Sequence, residues 1–166
     1  MIVVLVTVGV FQEYIINCIK QLKLMNYRIV VILDKKFFKR LNMFRKIELI
    51  SADDFKIDFE RKFEKHLKNG RERKKEFYIN TSKRFFYIYE YVKKVNMKNF
   101  LHIENDVLLY KNLSNFNFSK KIYLTIDNEY RCIPGIMFIP NKTLLNSFIK
   151  SFDYKEDDMM NWGTFY

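Results

Sequence analysis

Two carboxylate residues stand one position apart in an otherwise apolar run. The run is KNFLHIENDVLLY, residues 98–110, and it carries Glu104 and Asp106 with Asn105 between them. An unpaired carboxylate is costly to bury, so both side chains require a positively charged partner. Oxygen ligands at this spacing can face one hard cation, Mn²⁺ or Mg²⁺, with diphosphate oxygens and water completing its shell. The residues themselves therefore predict a divalent-metal site, with an ordinary acidic strand end as the alternative.

The segments around this pair alternate between strand and helix patterns. Apolar runs predict strands at residues 2–8, 28–33, 47–51, 98–110, 121–126 and 131–140. Apolar residues at helical spacing predict helices at 11–25, 37–43, 55–70, 81–95 and 141–152. This alternation predicts an α/β layered domain with a mainly parallel sheet. Ligands bind such sheets at the carboxyl ends of the strands, which is where residues 104–106 would emerge.

Composition limits the class of protein. A chain of 166 residues can form one domain with a single core, without help from disulfides or a structural metal. Hydrophobic residues make up 49% of the chain, which indicates a globular protein rather than a disordered one. The net charge of +11 accompanies high Lys, Ile, Asn and Phe content, as in AT-rich genomes. The charge is therefore weak evidence for a polyanionic partner.

The cysteines and the N-terminal run indicate the compartment. Cys18 and Cys132 are predicted to be buried free thiols, which suits a reducing environment. The run MIVVLVTVGV is too short to span a bilayer, and it lacks the basic leader of a signal peptide. We expect a cytoplasmic protein, with peripheral contact at an anionic membrane as a further expectation.

The order of the motifs resembles that of GT-A-type glycosyltransferases, the nucleotide-diphospho-sugar transferase superfamily. The strand VVLVTVG is followed by a helix and by a second strand that ends at Asp34. A T-x-x-R sequence, Thr81 to Arg84, precedes HIENDVLLY, which stands in the position of the family's D-x-D motif. The later IPGIMFIPN is similar to the strand that follows this motif. The resemblance covers most of the chain.

The resemblance implies a fold and an activity. It implies a Rossmann-like GT-A layered domain, formed by residues 1–166 as a single catalytic domain that is minimal or truncated at its C-terminus. The implied activity is that of a hexosyltransferase-like enzyme, which moves a sugar from a nucleotide-diphosphate sugar to an acceptor hydroxyl of a glycan or a lipid-linked sugar. Mn²⁺ or Mg²⁺ is the implied cofactor.

The resemblance also assigns roles around the acidic motif. Asp106 is the implied principal metal ligand, and Glu104 contacts the metal, a metal-bound water or the ribose. Arg84 pairs with the diphosphate, a task for which the guanidinium geometry is well suited. Asn105, between the two carboxylates, is implied to contact the nucleotide-sugar donor. Glu104 departs from the commoner Asp, and its longer side chain leaves its direct metal contact open.

The nucleotide and the donor sugar have implied partners elsewhere in the chain. Thr7 and Gly9 would line the nucleotide through their backbone groups. Asp34 would read the base or the ribose. Gly135 would let the backbone approach the donor sugar.

The family resemblance also implies a third metal ligand and, in an inverting enzyme, a catalytic base. Many family members use a late His or Asp as a third ligand, but the histidines here are His66, in the basic segment, and His102, which we expect in the core. An inverting enzyme also needs a carboxylate base. The late KEDDMM cluster offers Asp157 and Asp158. The alternative for these two residues is an acidic first turn of a helix.

A basic segment suggests other classes of function. Residues 61–75, RKFEKHLKNGRERKK, contain eight basic residues and two glutamates. They could follow the phosphates of a nucleic acid, contact an anionic membrane or simply form a solvated helix face. A basic nucleic-acid-binding domain without catalysis is thus the alternative function, although no recognisable motif supports it. A nuclease or phosphatase would need acids beyond Asp53 and Asp54.

Overall fold

The computed structural model describes residues 1–66 and 75–166 of the chain. The strands are β1 (Ile2–Thr7), β2 (Arg28–Leu33), β3 (Ile47–Ser51), β4 (Phe100–Ile103), β5 (Tyr123–Asn128) and β6 (Arg131–Ile139). The helices are α1 (Ile15–Leu24), α2 (Phe38–Leu41), α3 (Phe59–His66), α4 (Lys75–Val95), α5 (Lys142–Ser151) and α6 (Asp158–Phe165). Short 3-10 turns at Lys35–Phe37 and Ala52–Asp54 follow β2 and β3.

The six strands form one mixed sheet in the order β3-β2-β1-β4-β6-β5. The first four strands in this order are parallel, with Val4 of β1 opposite Val30 of β2 and His102 of β4. β6 runs antiparallel to both β4 and β5. The predicted α/β class with a mainly parallel sheet is confirmed. The strand order reverses between β1 and β4, so this is the topological switch point of the sheet.

The core lies on both faces of the sheet because alternate residues of each buried strand point to opposite sides. Val4 and Val6 of β1 pack in the cluster formed with α3, α4, α5 and α6. Val3 and Leu5 pack in the other cluster, with α1 and the irregular segment that follows β4. This two-sided burial explains why β1 reads as a continuous apolar run.

Aromatic side chains fill the first cluster. Trp162 of α6 is fully buried and stacks on Phe148, with the ring centroids 3.5 Å apart. Phe85 of α4 packs edge-on against both Trp162 and His102. Trp162 therefore packs in the core of the domain.

Several predicted bounds were wrong. The strand predicted over 98–110 ends at Ile103, because the polar residues after it turn the chain, with the Val107 amide donating to the Glu104 carbonyl at 3.1 Å. The helix predicted from Thr81 begins at Lys75. The helix predicted to reach Gly70 corresponds to α3, which is described to His66; its predicted end lies among residues 67–74, outside the described part of the chain, and stays a prediction.

Left-handed backbone occurs at the turns that precede the parallel strands. Among the described residues, the non-glycine residues with positive φ are Asn26, Lys46, Asn96 and Asn99. Asn26 follows α1 and Asn96 follows α4, and each helix is closed by an amide that reaches back five residues, from Tyr27 to Leu22 and from Met97 to Val92. Asparagine takes the place of the usual C-terminal glycine because its short polar side chain tolerates this conformation.

Both cysteines, Cys18 and Cys132, are buried and free, as predicted. No helix within residues 1–66 and 75–166 combines the length and the hydropathy needed to cross a bilayer.

Candidate functional site

A cleft of about 290 Å³ opens at the carboxyl end of β1, between the loop after this strand and the N-terminal half of α4. Its polar lining consists of Thr7, Gln12, Glu76, Asn80, Thr81 and Arg84. Phe77, of which 61% is exposed, adds an aromatic ring to the rim. The cleft lies at the switch point of the sheet, which is the usual ligand position in open α/β sheets.

The loop after β1 is fixed by a carboxylate from the residue that follows the neighbouring strand β2. Gly9 has a φ of +78°, and its amide donates to Asp34 Oδ2 at 2.8 Å. A Cβ at this position would lie 2.9 Å from Asn80 Oδ1, so glycine lets α4 approach the loop closely. Thr7 ends β1 beside it and lines the cleft. The structure thus brings Thr7, Gly9 and Asp34 together, while their predicted contacts with a nucleotide stay a prediction.

Arg84 lines the cleft, and its guanidinium group binds two carboxylates. Nη1 contacts Glu104 Oε1, and Nη2 lies 2.9 Å from Asp158 Oδ2. The side chains of Arg84 and Asp158 are 9% and 7% exposed, and that of Glu104 is 27% exposed. The cluster joins α4, the segment after β4 and the first turn of α6. The positive partner of Glu104 in this structure is therefore an arginine of the chain itself.

The surroundings of Asp158 act on its ionisation in opposite directions. Burial raises the pKa of this carboxyl, and the adjacent Arg84 lowers it. The negative charges of Glu104 and Asp157 raise the pKa further, so that the net direction is upward. Asp158 therefore takes up a proton more readily than a carboxyl in water does.

Asn105 holds the acidic motif against β1. Its Nδ2 donates to the Val6 carbonyl at 2.9 Å and to Gln12 Oε1 at 2.8 Å. Asp106, the next residue, is exposed, and its charge contributes to raising the pKa of Tyr14 and of Cys18, although burial is the larger cause for both. Asp106 therefore lies near the start of α1.

Gly135 of β6 makes room for Glu104. The Glu104 amide donates to the Gly135 carbonyl at 2.8 Å. A Cβ on Gly135 would lie 3.3 Å from Glu104 Oε2, closer than an ordinary contact. In the structure Gly135 thus adjoins the acidic motif; its role toward a donor sugar stays a prediction.

The two candidate bases occupy the start of α6. Asp157 is the N-cap residue, and its Oδ1 accepts from the Met160 amide at 3.0 Å. Asp158 stands in the first turn and binds Arg84. The structure therefore shows the acidic helix start considered as the alternative, and it brings only Asp158 into contact with the other site residues. Catalysis by either residue stays a prediction.

The described residues contain no group of three or more His, Cys, Asp or Glu side chains arranged to hold a metal. Asp106 is exposed and Glu104 is partly exposed, so each can offer oxygen to a cation at the surface. Mg²⁺ is commonly held by only one or two carboxylates together with substrate phosphates and water. Each carboxylate could thus serve as one oxygen ligand, while a metal held by the two together stays a prediction.

Sequence reasoning missed Gln12, Asn80 and Phe77. Gln12 lies in the first loop after a buried strand, a position that could have indicated it. Asn80 and Phe77 lie on α4 upstream of the helix start predicted at Thr81, so the misplaced boundary removed them from consideration.

His102 is a core histidine, as expected, and it makes stability depend on pH. It is buried in β4, its Nδ1 donates to the Val4 carbonyl at 3.0 Å, and burial followed by the charge of Arg84 lowers its pKa to about 3. Between its ordinary pKa of about 6.5 and this value, the unfolded chain binds a proton that the folded chain does not. We expect the free energy of unfolding to fall by roughly 2 kcal/mol from this residue between about pH 7 and pH 5.

Thermal and urea denaturation across this pH range measures the effect. His102→Asn, whose amide can still donate to Val4, should flatten the acid limb of the stability profile. His66→Gln is the control, since His66 is exposed, and this variant should keep the wild-type slope. Equal slopes for wild type and His102→Asn would contradict the assignment.

Comparison with known proteins shows the fold. No protein-family model and no curated protein sequence matches this chain. A solved structure of the PaToxG glycosyltransferase matches with a TM-score of 0.52 at 12% identity, covering 90% of this chain and 57% of that one. The chain thus spans little more than half of that protein.

A second solved structure is that of a transferase mutant with two cysteines replaced by serine. It matches with a TM-score of 0.55 at 10% identity, covering 99% of this chain and 83% of that chain. At identities this low the likeness establishes the layered α/β fold, one that a glycosyltransferase and another transferase share. It does not extend to the GT-A subtype, a metal or a substrate.

Proposed function

We propose that this chain is a metal-dependent glycosyltransferase, which moves a sugar from a nucleotide-diphosphate sugar to the hydroxyl of a glycan or lipid-linked acceptor. The observation that carries the proposal is the cleft at the switch point of the sheet, with a buried arginine and the acidic motif beside it. The fold shared with a glycosyltransferase agrees with the proposal.

The cleft suits the nucleotide part of a donor. Thr7, Gln12, Asn80 and Thr81 offer hydrogen-bonding groups, and the ring of Phe77 offers a flat apolar surface at the rim. Such a mixture of a few polar groups with an aromatic surface is typical of small-molecule sites. The base would be recognised here, with Asp34 fixing the loop through the Gly9 amide.

Arg84, Glu104 and Asp106 would receive the diphosphate. A divalent cation held by Asp106 and Glu104 would neutralise charge that develops on the leaving diphosphate. Arg84 would exchange a carboxylate for a phosphate oxygen, since a guanidinium pairs with both groups in the same bidentate geometry. Glu104, once free of Arg84, would be available to the cation or the ribose.

Asp158 is the better placed of the two candidate bases. Its raised pKa favours proton acceptance from a hydroxyl, whereas Asp157 is engaged by the backbone of its own helix. A base role requires that Asp158 leave Arg84 when the diphosphate takes its place.

Calorimetric titration tests the proposal directly. We expect UDP, GDP or a sugar conjugate of one of them to bind in the micromolar range with Mn²⁺ present, and binding to be lost in EDTA. Asp106→Asn should weaken this binding at least about 100-fold, because it removes the exposed charged ligand. Asp54→Asn is the matched control, an exposed carboxylate on the turn after β3, and it should bind like wild type.

Two results would count against the proposal. Unchanged affinity of Asp106→Asn in Mn²⁺ would remove the metal site. Failure to bind any nucleotide, together with tight salt-sensitive binding to RNA or DNA, would favour the nucleic-acid-binding alternative and give the function to the basic segment 61–75, of which residues 67–74 lie outside the described structure.

A further inference from the structure

The turns that precede the parallel strands all lie along one side of the sheet, here called the amino edge. They are the α1–β2, α2–β3 and α4–β4 turns. The antiparallel strands add two more segments to this edge, since Ile139 at the end of β6 pairs with Phe100, and Tyr123 at the start of β5 pairs with Phe138. The amino edge therefore collects five segments that are far apart in sequence.

These five segments are rich in exposed basic side chains. The first two turns carry Lys23, Arg45 and Lys46, and Lys23 Nζ donates to the Arg45 carbonyl at 2.9 Å, which holds the two turns side by side. The other segments carry Lys94, Lys98, Lys120, Lys121 and Lys142, all of them exposed.

Few carboxylates balance this charge among the described residues. Glu48 of β3 is bound by Arg28 at 3.0 Å and accepts from the hydroxyl of Tyr91 at 2.8 Å. Glu90, in the last part of α4, pairs with Lys93 at 3.5 Å. Each of these carboxylates already has a basic neighbour, so the segments named above leave a net positive surface.

The opposite edge, here called the carboxyl edge, has a mixed composition. The residues that follow β2, β3 and β4 include Asp34, Asp53, Glu104 and Asp106, and Asp127 lies near the end of β5. Lys35 and Lys36 also follow β2, and Lys56 follows β3, all three exposed. The sheet therefore separates a carboxyl edge of mixed charge, which holds the candidate site, from a basic amino edge that the proposed reaction does not use.

Large apolar side chains are exposed among the basic residues of the amino edge. Leu24 at the end of α1 is 84% exposed, Met43 before β3 is 66% exposed, and Val95 at the end of α4 is 46% exposed. They lie on the turns that precede β2, β3 and β4, with the start of β1 between the turns before β2 and β4. Exposed apolar residues surrounded by lysines are the composition of surfaces that lie in the interface of a bilayer.

We propose that the amino edge binds an anionic membrane surface. The lysines would approach the lipid phosphates, and Leu24, Met43 and Val95 would enter the boundary between headgroups and acyl chains. A nucleic acid could satisfy the charge but would offer little to three aliphatic side chains, which is why we favour lipid. The carboxyl edge would then face away from the bilayer, at a distance set by strands of five to six residues, or roughly 20 Å.

Vesicle co-sedimentation of the full chain tests the surface. The probe is phosphatidylcholine vesicles with about 30% phosphatidylserine, in about 0.15 M salt. The charge variant is Lys46→Gln/Lys98→Gln/Lys142→Gln. Since each lysine near an anionic surface contributes about 1 kcal/mol, we expect its binding to fall by about 100-fold.

A second triple variant serves as the control. Lys39→Gln/Lys56→Gln/Lys150→Gln removes the same charge from exposed positions outside the amino edge, and it should bind nearly as well as wild type. Both variants should melt within a few degrees of wild type, which separates a surface effect from unfolding. Equal loss in the two variants would overturn the proposal, because net charge alone would then explain binding.

Variants of the exposed apolar residues show whether the amino edge binds lipid or nucleic acid. Leu24→Ser/Met43→Ser should weaken vesicle binding by at least about 10-fold while leaving its dependence on salt in place. If wild type ignores the vesicles and instead binds RNA or DNA through the three lysines, the surface is a nucleic-acid site and the proposal is wrong. Nucleotide binding in the cleft is measured separately, so either proposal can fail alone.

Discussion

Replacing Arg84 with methionine should destabilise the protein by about 3–5 kcal/mol near neutral pH, because it leaves the charges of Asp158 and Glu104 without their shared partner. Asp158 is almost fully buried and already has a raised pKa. Loss of the guanidinium would raise it further, so the variant should recover stability as the pH falls and the carboxyls take up protons. Urea unfolding at about pH 7.5 and pH 5, followed by circular dichroism, measures both effects.

Two further variants define the cause. Arg84→Met/Glu104→Gln/Asp158→Asn removes all three charges and should regain most of the lost stability, since neutral side chains of similar size replace them. Arg40→Met is the surface control: Arg40 pairs with Glu13, but both side chains are about half exposed, so its loss should cost under about 1 kcal/mol. A triple variant no more stable than Arg84→Met would mean that packing, and not charge, holds this cluster.

Replacing Gly163 with alanine should also be strongly destabilising, although it improves the intrinsic preference for helix. A Cβ on Gly163 would overlap the carbonyl of Tyr130 and lie 2.8 Å from the Arg131 amide nitrogen, in the turn between β5 and β6. Backbone atoms cannot move aside as a flexible side chain can, so α6 would have to shift. We expect a loss of about 3 kcal/mol, against the gain of about 1 kcal/mol that helix propensity alone predicts.

For Gly163→Ala, the steric overlap lowers stability and the higher helix propensity raises it, so the sign of the measured change shows which effect is larger. Thermal or urea unfolding of Gly163→Ala gives the sign directly, and Thr164→Ala, at the next and exposed position of α6, is the control that should change stability little. A Gly163→Ala variant as stable as wild type would show that α6 is not packed against the β5–β6 turn. Because α6 carries Asp158 and Trp162, its displacement should also disturb the ion-pair cluster.

The fold was largely predictable because its buried strands are unambiguous. The bounds of β2 and β3 agree with the predicted ones, since apolar runs closed by polar residues leave little freedom of assignment. The strand order and the antiparallel direction of β6 were not predictable, because they depend on contacts between residues that are far apart in the chain.

The position of the acidic motif after β4 was predictable, but its contacts were not. Glu104 was predicted at the carboxyl end of its strand, and the resemblance assigned Arg84 to the diphosphate, yet nothing in their spacing indicates that they bind each other. Asp158 is 74 positions from Arg84, and its inclusion depends on how α6 returns to the sheet. The role of Asp157 could not be read from its residue type, because an acidic residue before a helix can be either an N-cap or a catalytic base. The hydrogen bond from the Met160 amide shows that it is the N-cap.

The basic side chains of the amino edge also match the dipoles of the helices. α1 and α4 run opposite to the parallel strands, so their negative ends lie at the amino edge, where Lys23, Lys93 and Lys94 occupy the last turns. Glu76 stands in the first turn of α4, at the positive end. Each such residue contributes about 0.3–1 kcal/mol to its helix. Part of the basic surface thus stabilises the helices of the fold, whatever the amino edge binds.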